Sequence, residues 1–185
     1  MRELSLHVLD VVENGITAGG DCIWIEVDEA RKKDQLKIVI RDNGRGMPVE
    51  KLENIDDPFI TTRTTRRVGL GLSLLAAAAR RCDGTLRVDS EPGKGTQVEA
   101  TFRYHHIDRA PLGDMAATVG TLIIGNPGID FIYAHRIDGK DFFLDTREIR
   151  KEMKDRSLSD PAVIYHLTES IRSSLEELAS GDGTS

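Results

Sequence analysis

Between residues 4 and 102 the apolar residues change period three times, and that order constrains the fold more than any other feature. Leu6, Leu9, Val12 and Ile16 recur at helical spacing, with Glu3, His7, Asp10, Asn14 and Thr17 on the opposite stripe. Ala18-Gly19-Gly20 stops that helix. "CIWIEVD" (22–28) and "LKIVIR" (36–41) then read as strands joined by a charged turn. "GLSLLAAAARR" (71–81) returns to helix, and "GTLRVDS" (84–90), the turn "EPGKG" and "TQVEATF" (96–102) make a hairpin. Helix, two strands, helix, two strands is the order of an α+β two-layer sandwich, a mixed sheet with helices on one face.

After "YHHIDRAPLGD" a second unit follows. Leu112, Met115, Ala116, Val119, Leu122 and Ile123 form a helical stripe stopped by Gly125-Asn126-Pro127. Ile129, Phe131 and Tyr133 alternate, with His135 expected on the exposed face, and Asp138-Gly139 turns the chain into "KDFFLD". Asp145 and Glu148 have capping-box spacing, and Asp160-Pro161 opens a last helix with Val163, Ile164, Leu167, Ile171, Leu175 and Leu178 on one face. That helix either packs within the second unit or offers a surface to a partner or a second copy of the chain. The expected division is residues 1–104 as one domain, 105–180 as a small C-terminal α/β module (helix, β-hairpin, two helices), and 181–185 as a tail.

The quoted elements surround an unusual stretch, "FITTRTTRRVGLGLSL" (59–74). Its donors imply an anion, yet the chain has 31 acidic against 25 basic residues and a net charge of −6. No global field draws it to nucleic acid or to a membrane surface, so the anion is caught locally. The N-terminus lacks the apolar run of a signal peptide, no stretch is apolar enough to span a bilayer, and Cys22 and Cys82 lack metal or redox spacing. The expectation is a cytoplasmic protein with free thiols.

The glycines exclude two common phosphate loops. No GxxxxGK[ST] is present, and after Gly69 and Gly71 the third position of a dinucleotide fingerprint is Leu74. Other chemistry remains. Asp42, closing an apolar strand, is an acceptor-only group suited to an exocyclic amine such as adenine's. Gly44 and Gly46 permit positive φ and close approach of a flat ring. The helix start at Gly71 has unpaired N–H groups for phosphate, and Arg63, Arg66 and Arg67 precede it. Asn14 offers an amide oxygen of the kind Mg²⁺ accepts, and Asp10, one turn earlier, can orient or deprotonate a nucleophile.

Five segments together resemble the Bergerat-fold ATPase superfamily of gyrase, heat-shock chaperones, histidine kinases and mismatch-repair ATPases. "DVVENGITA" resembles its N box, "DNGRGM" its first glycine box and "DPFITT" its F box. "GLGLSL" resembles its second glycine box and "GKGTQVEATF" its closing strand motif, over roughly residues 3–103. The resemblance implies ATP and Mg²⁺ as cofactors, with Asn14 holding the metal, Asp42 reading adenine and residues 60–68 forming a lid. It carries nucleotide binding to Gly44, Gly46, Met47, Phe59, Thr62, Arg63, Gly69, Leu70, Gly71, Leu72 and Thr96.

The short lid and the "GLGLSL" wording are most similar to the histidine-kinase branch. Two positions depart from it: Asp10 stands where histidine kinases carry Asn, and Gly15 replaces a small Ala, which weakens helix propensity. Only about ten residues precede Asp10, so the expectation is a stand-alone bacterial ATP-binding protein without the acceptor helix of a kinase. Three functions stay open: a phosphotransferase passing the γ-phosphoryl to a protein acceptor in signalling, an ATP-hydrolysing conformational switch, and an anti-sigma-like binding module with nucleotide as co-ligand.

Overall fold

Alternation along the strands decides which side of the sheet is covered. Strand β1 (Cys22–Ala30) buries Ile23, Ile25 and Val27 and turns Glu26 to solvent; β2 (Gln35–Asp42) buries Leu36, Ile38 and Ile40 and exposes Arg41. The two pair antiparallel, with Ile25 opposite Ile40 and Val27 opposite Ile38, so their inward sets coincide. Strands β3 (Leu86–Glu91) and β4 (Gly95–Arg103) form the expected hairpin, and β4 lays Val98, Ala100 and Phe102 beside the β2 residues.

The hairpin of the C-terminal segment joins the same sheet. Strand β5 (Asp130–Ile137) runs parallel to β1, and β6 (Lys140–Asp145) is antiparallel to β5. The result is a mixed six-stranded sheet in the order β3-β4-β2-β1-β5-β6. It is an α+β fold with helices packed on the sheet.

Among the described residues five α-helices accompany it. Helix α1 (Leu4–Thr17) packs Leu4, Val8, Val11 and Val12 on β1, β2 and β4, and α2 (Leu70–Arg81) adds Leu72, Leu75 and Ala79 against β3 and β4. Helix α3 (Met115–Gly125) starts at Asp114, whose carboxylate accepts the Ala117 N–H at 2.8 Å. The short α4 (Thr146–Glu152) starts at Asp145, which accepts the Arg147 N–H, and α5 (Pro161–Ser180) starts behind Asp160, which accepts the Ala162 N–H. Helix α5 packs on α3, β5 and β6, with Ile171 fully buried. The computed structural model describes residues 3–48, 70–153 and 157–180, and of Leu70 the backbone only.

Two histidines differ from their expected placement. His7 lies on the polar stripe by spacing, yet it is only 4% exposed because the 111–115 segment and α3 close over the first turns of α1. His135, expected on an exposed face, is buried because it shares parity with Phe131, Tyr133 and Ile137 and stands beside Val27. It is accommodated by pairing: one ring nitrogen meets Tyr133 Oη at 2.6 Å and the other meets Glu29 Oε1 at 2.8 Å. Glu29 Oε2 accepts Tyr104 O–H at 2.9 Å.

Burial works against the Glu29 charge, but the His135 hydrogen bond and charge, Tyr104 and Arg31 together hold its carboxyl below the ordinary range. A lowered folded-state value means this contribution is present at neutral pH and is lost only as pH falls through that value. His135→Ala strands the Glu29 carboxylate and is expected to cost about 3 kcal/mol, read as a lower urea midpoint. Tyr104→Phe removes one hydrogen bond and is expected to cost about 1 kcal/mol.

Candidate functional site

Asp42 is the last residue of β2 and keeps the inward parity of Leu36, Ile38 and Ile40, so the strand's alternation turns a carboxylate into the core. It is 8% exposed. Its Oδ1 accepts the Gly44 N–H at 2.8 Å, and the Thr96 backbone N–H also donates to it. Burial pushes the Asp42 carboxyl above the usual Asp range, and those two donors offset only part of the shift. This is a desolvated acceptor held by the backbone at the mouth of the core.

Helix α1 reaches Asp42 because residue 15 has no side chain. A methyl there would lie 2.8 Å from Asp42 Cβ and 3.1 Å from Oδ2. Gly15 therefore does more than lower helix propensity: it lets the carboxylate seat against the helix. Gly44 is needed for space as well, since a Cβ would come within 2.9 Å of Asp42 Oδ1 and 3.0 Å of Ala18 Cβ. Of the two glycines expected to use positive φ, only Gly46 does, at +66°.

The other half of the site forms where α2 begins. Gly71, in its first turn, would place a Cβ 3.3 Å from Asp10 Cβ and 3.9 Å from Asn14 Nδ2. The missing side chain thus brings the first described turn of α2 against Asp10 and Asn14 on α1. Asn14 and Gly15 are neighbours on that helix, so the Asp42 carboxylate and the Asp10–Asn14–Gly71 cluster belong to one continuous site.

The loops are fixed by residues that no motif singles out. Ser90 Oγ accepts the Met47 N–H at 2.8 Å, donates to Gly95 O at 3.0 Å and lies 2.8 Å from Thr96 Oγ1. One hydroxyl thereby joins the loop after Asp42 to the start of β4. Asn43 Oδ1 accepts the N–H groups of Asp21 and Cys22, both at 3.0 Å, and its amide donates to Asp21 at 2.7 Å. The Asn in "DNG" was legible as a turn residue; Ser90 gave no signal beyond its place near a strand end.

The structure thus brings together Asp10, Asn14, Asp42, Gly44, Gly46, Met47, Gly71 and Thr96. Leu72 is buried in the hydrophobic core. Phe59, Thr62, Arg63, Arg66, Arg67, Gly69 and the 60–68 segment expected to form a lid lie outside the described residues. A cavity of about 350 Å³ opens beside Asp42, Ser90, Lys94 and Thr96 but does not reach Asp10 or Asn14. On the α1 side of Asp42, Gly15, Gly44 and Gly71 let the charged and amide groups approach closely. Among the described residues no His, Cys, Asp and Glu side chains gather in a group of three to hold a metal, and no helix is long and apolar enough to cross a membrane.

Comparisons with known proteins bear on the family and the fold. Residues 2–106 match the family described as histidine kinase-, DNA gyrase B-, and HSP90-like ATPase. Sporulation kinase C of Bacillus subtilis is 34% identical over 101 residues, which are 55% of this chain and 23% of that protein. Sensor protein kinase FleS of Pseudomonas aeruginosa is 41% identical over 105 residues, 57% of this chain and 25% of that protein. The match spans about a quarter of the length of either kinase. Among solved structures, the N-terminal domain of a DNA repair protein superposes with a TM-score of 0.57 at 18% identity, covering 78% of this chain and 53% of that one, a likeness of fold.

Proposed function

The chain belongs to the family of histidine kinase-, DNA gyrase B- and HSP90-like ATPases, in its histidine-kinase branch, and from that premise we propose that it binds Mg·ATP and passes the γ-phosphoryl to a protein acceptor. The observation that carries the proposal is the apposition of Gly71 to Asp10 and Asn14, with Asp42 buried against the same helix.

The residues fit the cofactors. Asp42 presents a desolvated acceptor of the kind an adenine amine would meet. The start of α2 suits phosphate oxygens. Asn14 contributes one neutral oxygen, as Mg²⁺ takes when phosphates and water supply most of its shell. Bound magnesium neutralises phosphate charge, so the protein's share of phosphoryl transfer is positioning and electrostatics. Asp10 stands where an acceptor hydroxyl or imidazole would be oriented or deprotonated. Phe59, Thr62, Arg63, Gly69 and Leu70 complete the proposed nucleotide contacts, residues 1–104 are the proposed nucleotide domain, and 105–180 the unit that meets a partner or a second copy.

Asp10 also favours a second reading. A carboxylate beside the α2 start can activate water, which makes the chain an ATP-driven switch. Asp10→Asn separates the group's chemistry from its bulk. Turnover is expected to fall about 100-fold with nucleotide affinity changed less than about threefold. Incubation of the chain and co-encoded proteins with γ-labelled ATP tests the first reading: a labelled protein supports transfer, and nucleotide turnover with no labelled protein supports the switch. Unaltered turnover in Asp10→Asn removes Asp10 from either mechanism.

A further inference from the structure

Three polar side chains stand side by side across one end of the sheet. Asp42 on β2 is opposite Thr96 on β4, and Thr96 is opposite Ser90 on β3. Opposed residues share a face of a sheet, with Cβ atoms about 5 Å apart. The three therefore form one row, on the face that Ile40 and Val98 bury. All three line the cavity of about 350 Å³. Thr96 N–H donates to the Asp42 carboxylate, and the Ser90 hydroxyl closes the row at its far end.

Counting protons along the row fixes its polarity. A serine hydroxyl has one proton and two lone pairs. The Ser90 proton goes to Gly95 O at 3.0 Å, and one lone pair takes Met47 N–H at 2.8 Å. Thr96 Oγ1 lies 2.8 Å from the same oxygen, a distance at which one of the two hydroxyls donates to the other. With the Ser90 proton committed to a carbonyl, the donor is Thr96. Its oxygen is left with lone pairs only, beside a carboxylate that, ionised, also only accepts.

Two neighbouring acceptors select a ligand by sign. An exocyclic amine carries two N–H donors and can meet both oxygens, directly or through a water that donates to them. A carbonyl in the same place sets lone pairs against lone pairs, unless a neighbouring hydroxyl can turn its proton toward it. The Asp42 carboxylate has no such proton. Thr96 would have one if Ser90 did not hold it. Discrimination between an amine and a carbonyl beside Asp42 thus depends on a serine two strands away.

We propose that Ser90 is a positioning residue for base specificity: by accepting the Thr96 proton it holds the Thr96 hydroxyl as a second acceptor beside Asp42, so that the site takes a 6-aminopurine and rejects a 6-oxopurine. The polarity half stands on the hydrogen bonds alone; the specificity half rests on the nucleotide reading above and adds to it a residue that acts through Thr96.

Neutron diffraction from crystals of the full chain in D₂O, without nucleotide, tests the polarity. It is expected to show the Thr96 hydroxyl deuteron directed at Ser90 Oγ and the Ser90 deuteron directed at Gly95 O. A Ser90 deuteron directed at Thr96 overturns the proposal. Calorimetric titration with Mg·ATP and with Mg·ITP, whose base carries a carbonyl in place of the amine, tests the specificity. The parent chain is expected to bind ITP about tenfold or more weaker than ATP. Ser90→Ala frees the Thr96 proton and is expected to narrow that ratio about fivefold or more. Ser90→Thr keeps the hydroxyl and is expected to hold the parent ratio within about twofold. A serine that only supports the loops would weaken both nucleotides together. An unchanged ratio in Ser90→Ala, with urea unfolding showing the variant folded, therefore overturns the role, and so does an equal narrowing in Ser90→Thr. If the parent binds neither nucleotide, or both equally, the nucleotide reading fails and the specificity role with it, while the neutron map still decides the polarity of the Ser90–Thr96 pair.

Discussion

Asp42→Ala is expected to weaken adenine-nucleotide binding about 100-fold, roughly 3 kcal/mol, by removing a charged hydrogen-bond acceptor. The fold is expected to survive the change. The carboxylate is buried and its ionised form is disfavoured by desolvation, so its loss relieves a cost that offsets the two backbone donors left without it. Urea unfolding should therefore place the variant within about 1 kcal/mol of the parent, which separates loss of binding from loss of structure.

The same carboxylate sets a pH dependence with a definite sign. Because burial raises its folded-state value, Asp42 takes up a proton at higher pH than an ordinary Asp. Nucleotide affinity is expected to fall as pH drops through that raised value, since the protonated group no longer presents a free anionic acceptor. Stability moves the other way. The folded chain binds this proton before the unfolded chain does, so lowering the pH from the raised value to the ordinary one favours folding at this position.

Gly95→Ala is expected to produce the largest loss of stability, about 3 kcal/mol or more. Gly95 opens β4 with φ at +97°, and an added Cβ would be driven into the carbonyl of Asp42 on the neighbouring strand. Neither backbone can yield without breaking the Asp42–Thr96 pairing, so the variant should also lose nucleotide affinity. Gly128→Ala is the matched control: nothing lies within 4 Å of a Cβ there, and its effect should stay within about 0.5 kcal/mol. Equal melting temperatures for the two variants would show that the approach of β4 to Asp42 is looser than described.

The sheet and the site were legible to different degrees for physical reasons. Alternation in "CIWIEVD" and "LKIVIR" carried the strands, and parity alone turned Asp42 inward with Ile38 and Ile40. Glycines at 15, 44 and 71 could be read as permissive, but their use as clearances beside Asp42, Ala18 and Asp10 needs the third dimension. His135 was misplaced because a titratable residue is ordinarily assigned to solvent; its partner Glu29 is 106 residues away, at a distance no local pattern reports. The parallel pairing of β5 with β1 was hidden for the same reason. Ser90 stayed silent because a hydroxyl that accepts one backbone N–H and bonds two further oxygens looks, in sequence, like any strand-end serine.

The central claim is that one adenine nucleotide sits between α1 and the start of α2, read by Asp42 and secured through a cation at Asn14. Calorimetric titration of the intact chain with ATP, in the presence and absence of Mg²⁺ and beside GTP, tests it most directly. The account predicts one ATP per chain, tighter with magnesium, and GTP at least tenfold weaker because its base offers a carbonyl where Asp42 requires a donor. No saturable uptake, or equal uptake of ATP and GTP, would contradict it.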